Sequence, residues 1–239
     1  MCKKRKRQTI MFALLIAALA LVSTLRLAAS SKQVAQPLPS VPVLSRIYLD
    51  PGHGGFDFGA VGKLPNGDDL AEKDLVLNIA LTCGEQLARA GHEVLFSRMG
   101  EERLTNTTAA DEVRARRASA KEQAADLIVS VHANAYAGEG RAYGARVYYN
   151  PTSPVSRVVA ERIAAAITRH TGAYIGRECR TVADGTYYMV GDESMPAVLI
   201  ELGFLSDERE CALLGEGWYR TALATAIAEG VGDRDVETF

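Results

Sequence analysis

Three side chains that can bind a metal ion or move a proton come just after short apolar runs in this sequence. His53 and His132 each follow a β-rich run, and Glu201 ends a third. In an open α/β sheet, ligands collect beyond the carboxyl ends of the strands. We therefore expect the three side chains to meet at one edge of a sheet. Imidazole is the commonest metal ligand in proteins, so the two histidines favour a metal site.

The segment around His53, DPGHGG over residues 50–55, holds three glycines around one imidazole. Glycine permits positive φ values and lets the backbone approach a ligand closely. A phosphate-binding loop is an alternative, but neither GxGxxG nor GxxxxGK[ST] occurs, which weighs against a nucleotide site. Taken one at a time, His53 and His132 could each be a hydrogen-bonded structural histidine.

A catalytic zinc ion has three protein ligands and one open position. Glu72 could supply the third ligand, because the helix predicted over residues 73–90 follows the His53 segment closely. Alternatively, Glu72 only stabilises the N-terminus of that helix through the helix dipole. Glu201 lies between apolar residues. Its charge therefore needs a partner, and burial would raise its pKa toward a value that suits a general base.

Apolar patterning along the chain predicts strands that alternate with helices. The predicted strands are Ile47–Leu49, Glu93–Ser97, Leu127–Val131, Ala145–Tyr149, Tyr187–Val190 and Ala197–Ile200, and the predicted helices cover residues 73–90, 111–124, 155–170 and 216–231. This order predicts an α/β fold. We expect a mostly parallel or mixed sheet of about six strands, with helices on both faces.

The N-terminal segment predicts export from the cytoplasm. Residues 1–30 carry six basic and no acidic side chains, and an uncharged apolar run covers residues 10–25. As a helix this run would be roughly 24 Å long, slightly short of a bilayer's hydrocarbon core. The pattern is typical of a cleaved signal peptide or of a signal anchor, and both stay open. We expect a periplasmic or cell-envelope protein, held at the inner (cytoplasmic) membrane if the segment is uncleaved.

The rest of the chain is predicted to be one catalytic domain. Residues 31–45 are polar and contain three prolines, which predicts a linker. The predicted domain covers residues 46–232, and residues 233–239 form a predicted short tail. Beyond residue 30 the chain holds 21 basic and 29 acidic side chains. This acidic balance argues against a nucleic-acid partner. Four cysteines without a CxxC spacing do not make a disulfide framework, and pairing of Cys179 with Cys211 stays open.

Four segments together resemble the zinc-dependent N-acetylmuramoyl-L-alanine amidases, a family of cell-wall hydrolases. They are LDPGHGG over residues 49–55, EKD over 72–74, SVHAN over 130–134 and PAVLIELGFLS over 196–206. The resemblance implies that His53, Glu72 and His132 bind Zn²⁺. It also implies that Glu201 is the catalytic carboxylate. The implied partner is peptidoglycan, cleaved at the amide between N-acetylmuramic acid and the L-alanine of the stem peptide.

Two other functions remain open from the sequence. Another zinc amide hydrolase, such as a carboxypeptidase or deacetylase, could use the same groups, although the HExxH helix of common metalloproteases is absent. A catalytically inactive wall-binding regulator is the third possibility, although such proteins lose a ligand or the base, and all four residues are present. Asn134 is a candidate for hydrogen bonding to substrate. We expect Arg98 to pair with an acidic side chain.

Overall fold

The computed structural model describes residues 44–138 and 141–232. Its eight strands are β1 (Arg46–Pro51), β2 (Val61–Lys63), β3 (Asp69–Ala71), β4 (Glu93–Phe96), β5 (Leu127–Asn134), β6 (Arg146–Tyr149), β7 (Arg180–Ala183) and β8 (Ala197–Phe204). Six of them form one sheet in the order β4-β1-β5-β8-β6-β7, and β2 and β3 form a separate hairpin. The predicted export segment, nearly all of the predicted linker and the predicted tail lie outside the described residues.

The sheet is mixed, with one antiparallel pair. Strand β1 runs parallel to β4 and β5, and β5 runs parallel to β8. Strand β6 is antiparallel to β8 and parallel to β7. The carboxyl ends of β1, β5 and β8 therefore lie together at one edge, as the sequence predicts.

Among the described residues, five helices cover the two faces of the sheet, which confirms the predicted fold class. They are α1 (Glu72–Arg89), α2 (Ala109–Glu122), α3 (Pro154–Ile175), α4 (Glu208–Gly215) and α5 (Gly217–Val231). The side chains of Thr108 and Ser153 cap α2 and α3 by accepting backbone hydrogen bonds in the first turn. Helix α3 ends at Gly176, whose φ of 71° is left-handed and favours glycine.

The alternation of side chains along the central strands divides the core into two clusters. Tyr48, Ile128 and Leu199 pack in a smaller cluster with Ala120 of α2. Their neighbours along the strands, such as Leu49, face the opposite side, in the larger cluster that includes α1, α3 and α5. His132 and Glu201 continue the series of Ile128 and Leu199 at even spacing, so they project from the α2 face of the sheet.

The prediction of a strand over Tyr187–Val190 is wrong. That segment is a turn, in which the backbone N–H of Val190 donates to the carbonyl of Tyr187 at 3.0 Å. The edge strand is instead β7, which pairs with β6 alone. Three of its four residues are exposed and polar or small, so it lacks the apolar pattern that identifies a strand.

The cysteines of the described residues are all free. Cys83 is fully buried on α1, and burial raises the pKa of its thiol to about 12, as expected for a core residue. Cys179 and Cys211 are free as well, so the structure does not contain the pairing that the sequence left open.

Candidate metal and catalytic site

The loop after β1 holds His53 in a backbone conformation that is uncommon for a residue with a side chain. Its φ is 64°, and Gly54 and Gly55 after it also have positive φ values of 131° and 56°. At Gly52 a Cβ atom would overlap the imidazole of His132. Glycine before His53 therefore lets the two histidines approach each other, and the glycines after it allow the turn.

Buried Arg98 fixes this loop through carbonyl oxygens. It donates to the carbonyls of Pro51 at 3.1 Å, Gly52 at 2.8 Å, Lys73 at 2.8 Å and Gly100 at 2.7 Å. The expectation that Arg98 pairs with an acidic side chain is therefore wrong. These carbonyls come from the loop, from the start of α1 and from the segment after β4, and one planar guanidinium satisfies all four of them.

A second buried arginine supports the same loop from α2. Arg116 donates to the carbonyls of His53 and Pro51, and its guanidinium also lies 3.6 Å from the Asp50 carboxylate. Its Nε donates to Glu112 at 3.2 Å. The unusual conformation of His53 is thus held by bonds from α2 as well as by its own glycines.

Three candidate ligand atoms converge beside this loop. The Nε2 atom of His53 lies 3.1 Å from Oε1 of Glu72, and Nδ1 of His132 lies 3.0 Å from the same oxygen. The ligand atoms all lie within 4.8 Å of one another. The two imidazole rings meet edge to face, with centroids 5.1 Å apart. Two histidines and one carboxylate are a donor set typical of a catalytic zinc site.

Glu72 does more than stabilise the start of α1. It is only 4% exposed, and its carboxylate lies within 3.1 Å of a ring nitrogen of each imidazole. Its oxygens also accept from the backbone N–H groups of Ala60 at 2.8 Å and Ala133 at 3.0 Å. Although burial opposes ionisation, the hydrogen bonds from the imidazoles hold the pKa of Glu72 well below its ordinary value. A buried carboxylate that stays ionised fits a divalent cation.

Glu201 stands next to these groups on β8. It pairs in register with His132 of β5, so both side chains leave the same face of the sheet. Its Oε2 atom is buried and has no hydrogen-bond partner within the described residues. Burial, aided by the charge of Glu72, raises the pKa of Glu201 to about 7. A carboxyl group with this pKa can accept and release a proton near neutral pH.

A cavity of about 320 Å³ opens beside His132 and Glu201. Its wall is mostly apolar and comes from α2 and from the turn after β7. The other lining residues are Ala110, Val113, Arg114, Tyr187, Tyr188, Met189 and Leu199. The turn that replaces the strand predicted over Tyr187–Val190 thus supplies part of the wall of this cavity. Asn134, the last residue of β5, is half-buried two residues beyond His132.

The family model described as N-acetylmuramoyl-L-alanine amidase matches residues 47–233. The chain belongs to this family. The match covers the sheet except its first residue, Arg46, together with the five helices and all four residues named by the resemblance. It confirms the predicted class of enzyme, a hydrolase of the amide bond between N-acetylmuramic acid and L-alanine in peptidoglycan.

Relatives of this amidase-family chain are found among bacterial proteins. It is 30% identical over 200 residues to the germination-specific N-acetylmuramoyl-L-alanine amidase of Bacillus subtilis, covering 80% of this chain and 81% of that protein. It is 31% identical to the amidase LytC of the same species over 84% of this chain, but that match spans only 38% of LytC. The structure of the Clostridioides difficile amidase CwlD in complex with the GerS lipoprotein aligns with a TM-score of 0.67 at 31% identity, over 80% of this chain and 98% of that one.

The candidate site contains one acidic residue that the sequence reasoning missed. Asp57 accepts a hydrogen bond from Nδ1 of His53 at 3.0 Å and another from the backbone N–H of Gly59 at 3.1 Å. It thereby fixes the ring so that Nε2 points toward Glu72. Its spacing of four residues from His53 is the sequence signal that could have identified it.

We predict that Asp57→Ala weakens zinc binding by about 10- to 100-fold, the usual effect of removing a partner of a ligating histidine. Asp57→Asn is the matched control, because its amide oxygen can still accept from Nδ1 of His53. It should recover most of the affinity. Competition with a chromophoric chelator measures both dissociation constants. Equal weakening in the two variants would contradict a role in orienting the imidazole.

Proposed function

We propose that this chain hydrolyses the amide between N-acetylmuramic acid and L-alanine with a zinc ion held by His53, Glu72 and His132. The observation that carries the proposal is the convergence of those three ligand atoms next to Glu201, whose Oε2 has no partner within the described residues. A bound zinc ion would supply an activated water near neutral pH and would polarise the scissile carbonyl.

In this proposal the residues of the chain hold the reacting groups and move one proton. Glu201 accepts the proton from the attacking water and donates it to the nitrogen of L-alanine as the amide bond breaks. Asp57 keeps the His53 ring in place, and Arg98 and Arg116 keep the loop in place. The apolar cavity beside Glu201 would exclude water around the stem peptide, and Asn134 is proposed to hydrogen bond to substrate.

The direct test is to incubate the full-length protein with purified peptidoglycan, with and without a chelator. We expect new amino termini on L-alanine, lost with the chelator and restored by added zinc. Release of the terminal residue of the stem peptide would indicate a carboxypeptidase, and release of acetate a deacetylase. Binding to peptidoglycan with no released product would indicate a wall-binding regulator. Each of these three outcomes would contradict the proposed reaction.

Export is part of the proposal, because the substrate lies outside the cytoplasm. Residues 1–30 are proposed to carry residues 46–232 across the inner membrane, with residues 31–45 as linker and residues 233–239 as tail. The relatives named above include two N-acetylmuramoyl-L-alanine amidases of Bacillus subtilis. Within the described ranges, no helix combines the length and apolar character that a membrane span requires.

We also predict that Glu201→Gln stabilises the metal-free chain at alkaline pH. Burial raises the pKa of Glu201 from 4.5 to about 7 in the folded chain. Between these values the folded chain keeps a proton that the unfolded chain releases, so stability falls as the pH rises through this window. At pH values above the folded pKa, the loss in the free energy of unfolding is at most about 3 kcal/mol.

Glutamine does not titrate, so the variant should escape this loss. Urea denaturation of chelator-treated protein at several pH values measures the free energy of unfolding of both chains. The advantage of the variant should be near zero at pH 4 and should grow up to pH 8. Parallel pH profiles for the two chains would show that Glu201 is not held with a raised pKa.

A further inference from the structure

Two phenylalanines on the His53 loop expose large apolar surface. Phe56 is 66% and Phe58 is 53% exposed. They flank Asp57, whose side chain turns inward to His53. Both phenylalanines therefore lie on the loop that carries a proposed zinc ligand. We call Phe56 and Phe58 the aromatic pair.

A cation packs against each ring of the pair. The guanidinium of Arg103 lies 4.3 Å from the centroid of Phe56, and Nζ of Lys73 lies 4.7 Å from the centroid of Phe58. Both cationic side chains are themselves largely buried, at 4% and 10% exposure. Cation–π contacts of this kind fix the orientation of an exposed ring and leave its other face open.

The loop that carries the pair is also held rigidly. Gly54 and Asp57 exchange two backbone hydrogen bonds of 3.0 Å, which close a tight turn around Phe56. Lys73 is in turn fixed by an ion pair of 2.5 Å with Glu101. The rings therefore present a preformed surface, which costs little conformational entropy when a ligand binds.

Exposed large apolar side chains are concentrated in this region. Of the ten such residues in the described ranges, five lie in two short segments that contact each other, residues 56–61 and 99–104. These five are Phe56, Phe58, Val61, Met99 and Leu104. Single exposed apolar residues are ordinary on a protein surface, but a concentration beside a candidate active site points to a ligand.

We propose that the aromatic pair stacks against pyranose rings of the glycan strand. This inference rests on the proposed function, because the family's scissile amide is joined through a lactyl group to a sugar ring. Covalent geometry then places sugar within a few bonds of the site at every turnover. A pyranose ring is uncharged and has a face of C–H groups, which suits the negative face of an aromatic ring. Phe56 and Phe58 lie three and five residues after His53 on the same loop, so the substrate polymer itself is the occupant that this placement favours.

The test compares steady-state kinetics on soluble, uncross-linked glycan strands that carry stem peptides. For the double variant Phe56→Ala and Phe58→Ala we expect KM to rise about tenfold, the effect of losing two stacking contacts, with kcat unchanged within about twofold. The double variant with Tyr at both positions keeps the rings and should restore the KM. The double variant with Leu keeps apolar surface without the rings and should not restore it.

The matched control is Trp218→Ala. Trp218 is also an exposed aromatic residue, at 48%, but it packs on Tyr174 rather than on the site. Its removal should leave KM unchanged. A wild-type KM in the Ala or Leu double variant would overturn the stacking proposal. A second result would also overturn it: the Ala double variant keeps the wild-type KM but no longer binds phosphatidylglycerol vesicles. The pair would then contact a membrane rather than the glycan.

Failure of the proposed function gives a different result. A wild-type chain that produces no amino termini on L-alanine from these strands would refute the proposed reaction, and the stacking inference with it. An active wild type whose KM is unaffected by removal of the rings would refute the stacking inference alone.

Discussion

Glu201→Gln is expected to lose nearly all amidase activity while keeping the fold and the bound zinc. Glutamine has the shape of glutamate but cannot accept a proton from water at neutral pH. General acid–base catalysis contributes about 10²- to 10⁴-fold, so we expect kcat to fall by that factor. Counting new amino termini on L-alanine measures the rate, and plasma emission spectrometry measures the zinc content.

The zinc content separates this prediction from a general loss of structure. Glu201 is absent from the group of converging ligand atoms, so both Glu201→Gln and Glu201→Ala should hold one zinc ion per chain. Full activity in either variant would remove Glu201 from the mechanism. If Glu201→Gln lost both its zinc and its activity, the residue would belong among the ligands instead.

His132→Ala is expected to lose zinc first and activity as a consequence. The variant keeps at most two of the three proposed ligands and leaves the buried carboxylate of Glu72 without one of its two imidazole partners. We expect the dissociation constant for zinc to rise by more than about 100-fold. This exceeds the usual effect of removing a residue that only hydrogen bonds to a ligand. Titration of the metal-free chain with zinc in a chelator buffer measures this change.

His170→Ala is the matched control for this variant. His170 is half-buried on α3 and contacts Glu229 at 2.8 Å, away from the proposed ligands. Removing it should leave zinc affinity and activity unchanged. If His132→Ala bound zinc as tightly as this control, the assignment of His132 as a ligand would be wrong.

The parts of the fold predicted from sequence are those governed by apolar periodicity. Strands β1, β5 and β8 are buried on both faces, so their sequences contain mostly apolar runs. Residues just beyond such runs must lie at the carboxyl edge of a parallel sheet. This is why His53, His132 and Glu201 could be placed together before any coordinates.

The parts that could not be predicted depend on contacts between distant segments. Arg98 binds carbonyls of a loop about 46 residues away, and no pattern in the sequence marks a carbonyl as buried. The hairpin of β2 and β3 has strands of three residues each, too short for a recognisable period. Strand β7 is a polar edge, and helix α4 is only eight residues long. In each case tertiary context determines the local structure.

Glu72 shows the same limit at the candidate site. From its position alone, interaction with the helix dipole explains an acidic residue at the start of α1. Only the fold shows that its Oε1 atom lies near both imidazoles. The resemblance to the family supplied that assignment before the geometry did.

Anomalous diffraction at the zinc absorption edge, from crystals of the zinc-loaded chain, tests the central claim most directly. We expect one anomalous peak about 2.0–2.2 Å from Nε2 of His53, a carboxylate oxygen of Glu72 and Nδ1 of His132, with Glu201 outside bonding distance. A peak bound to other residues, or no peak at this site in zinc-loaded crystals, would contradict the account.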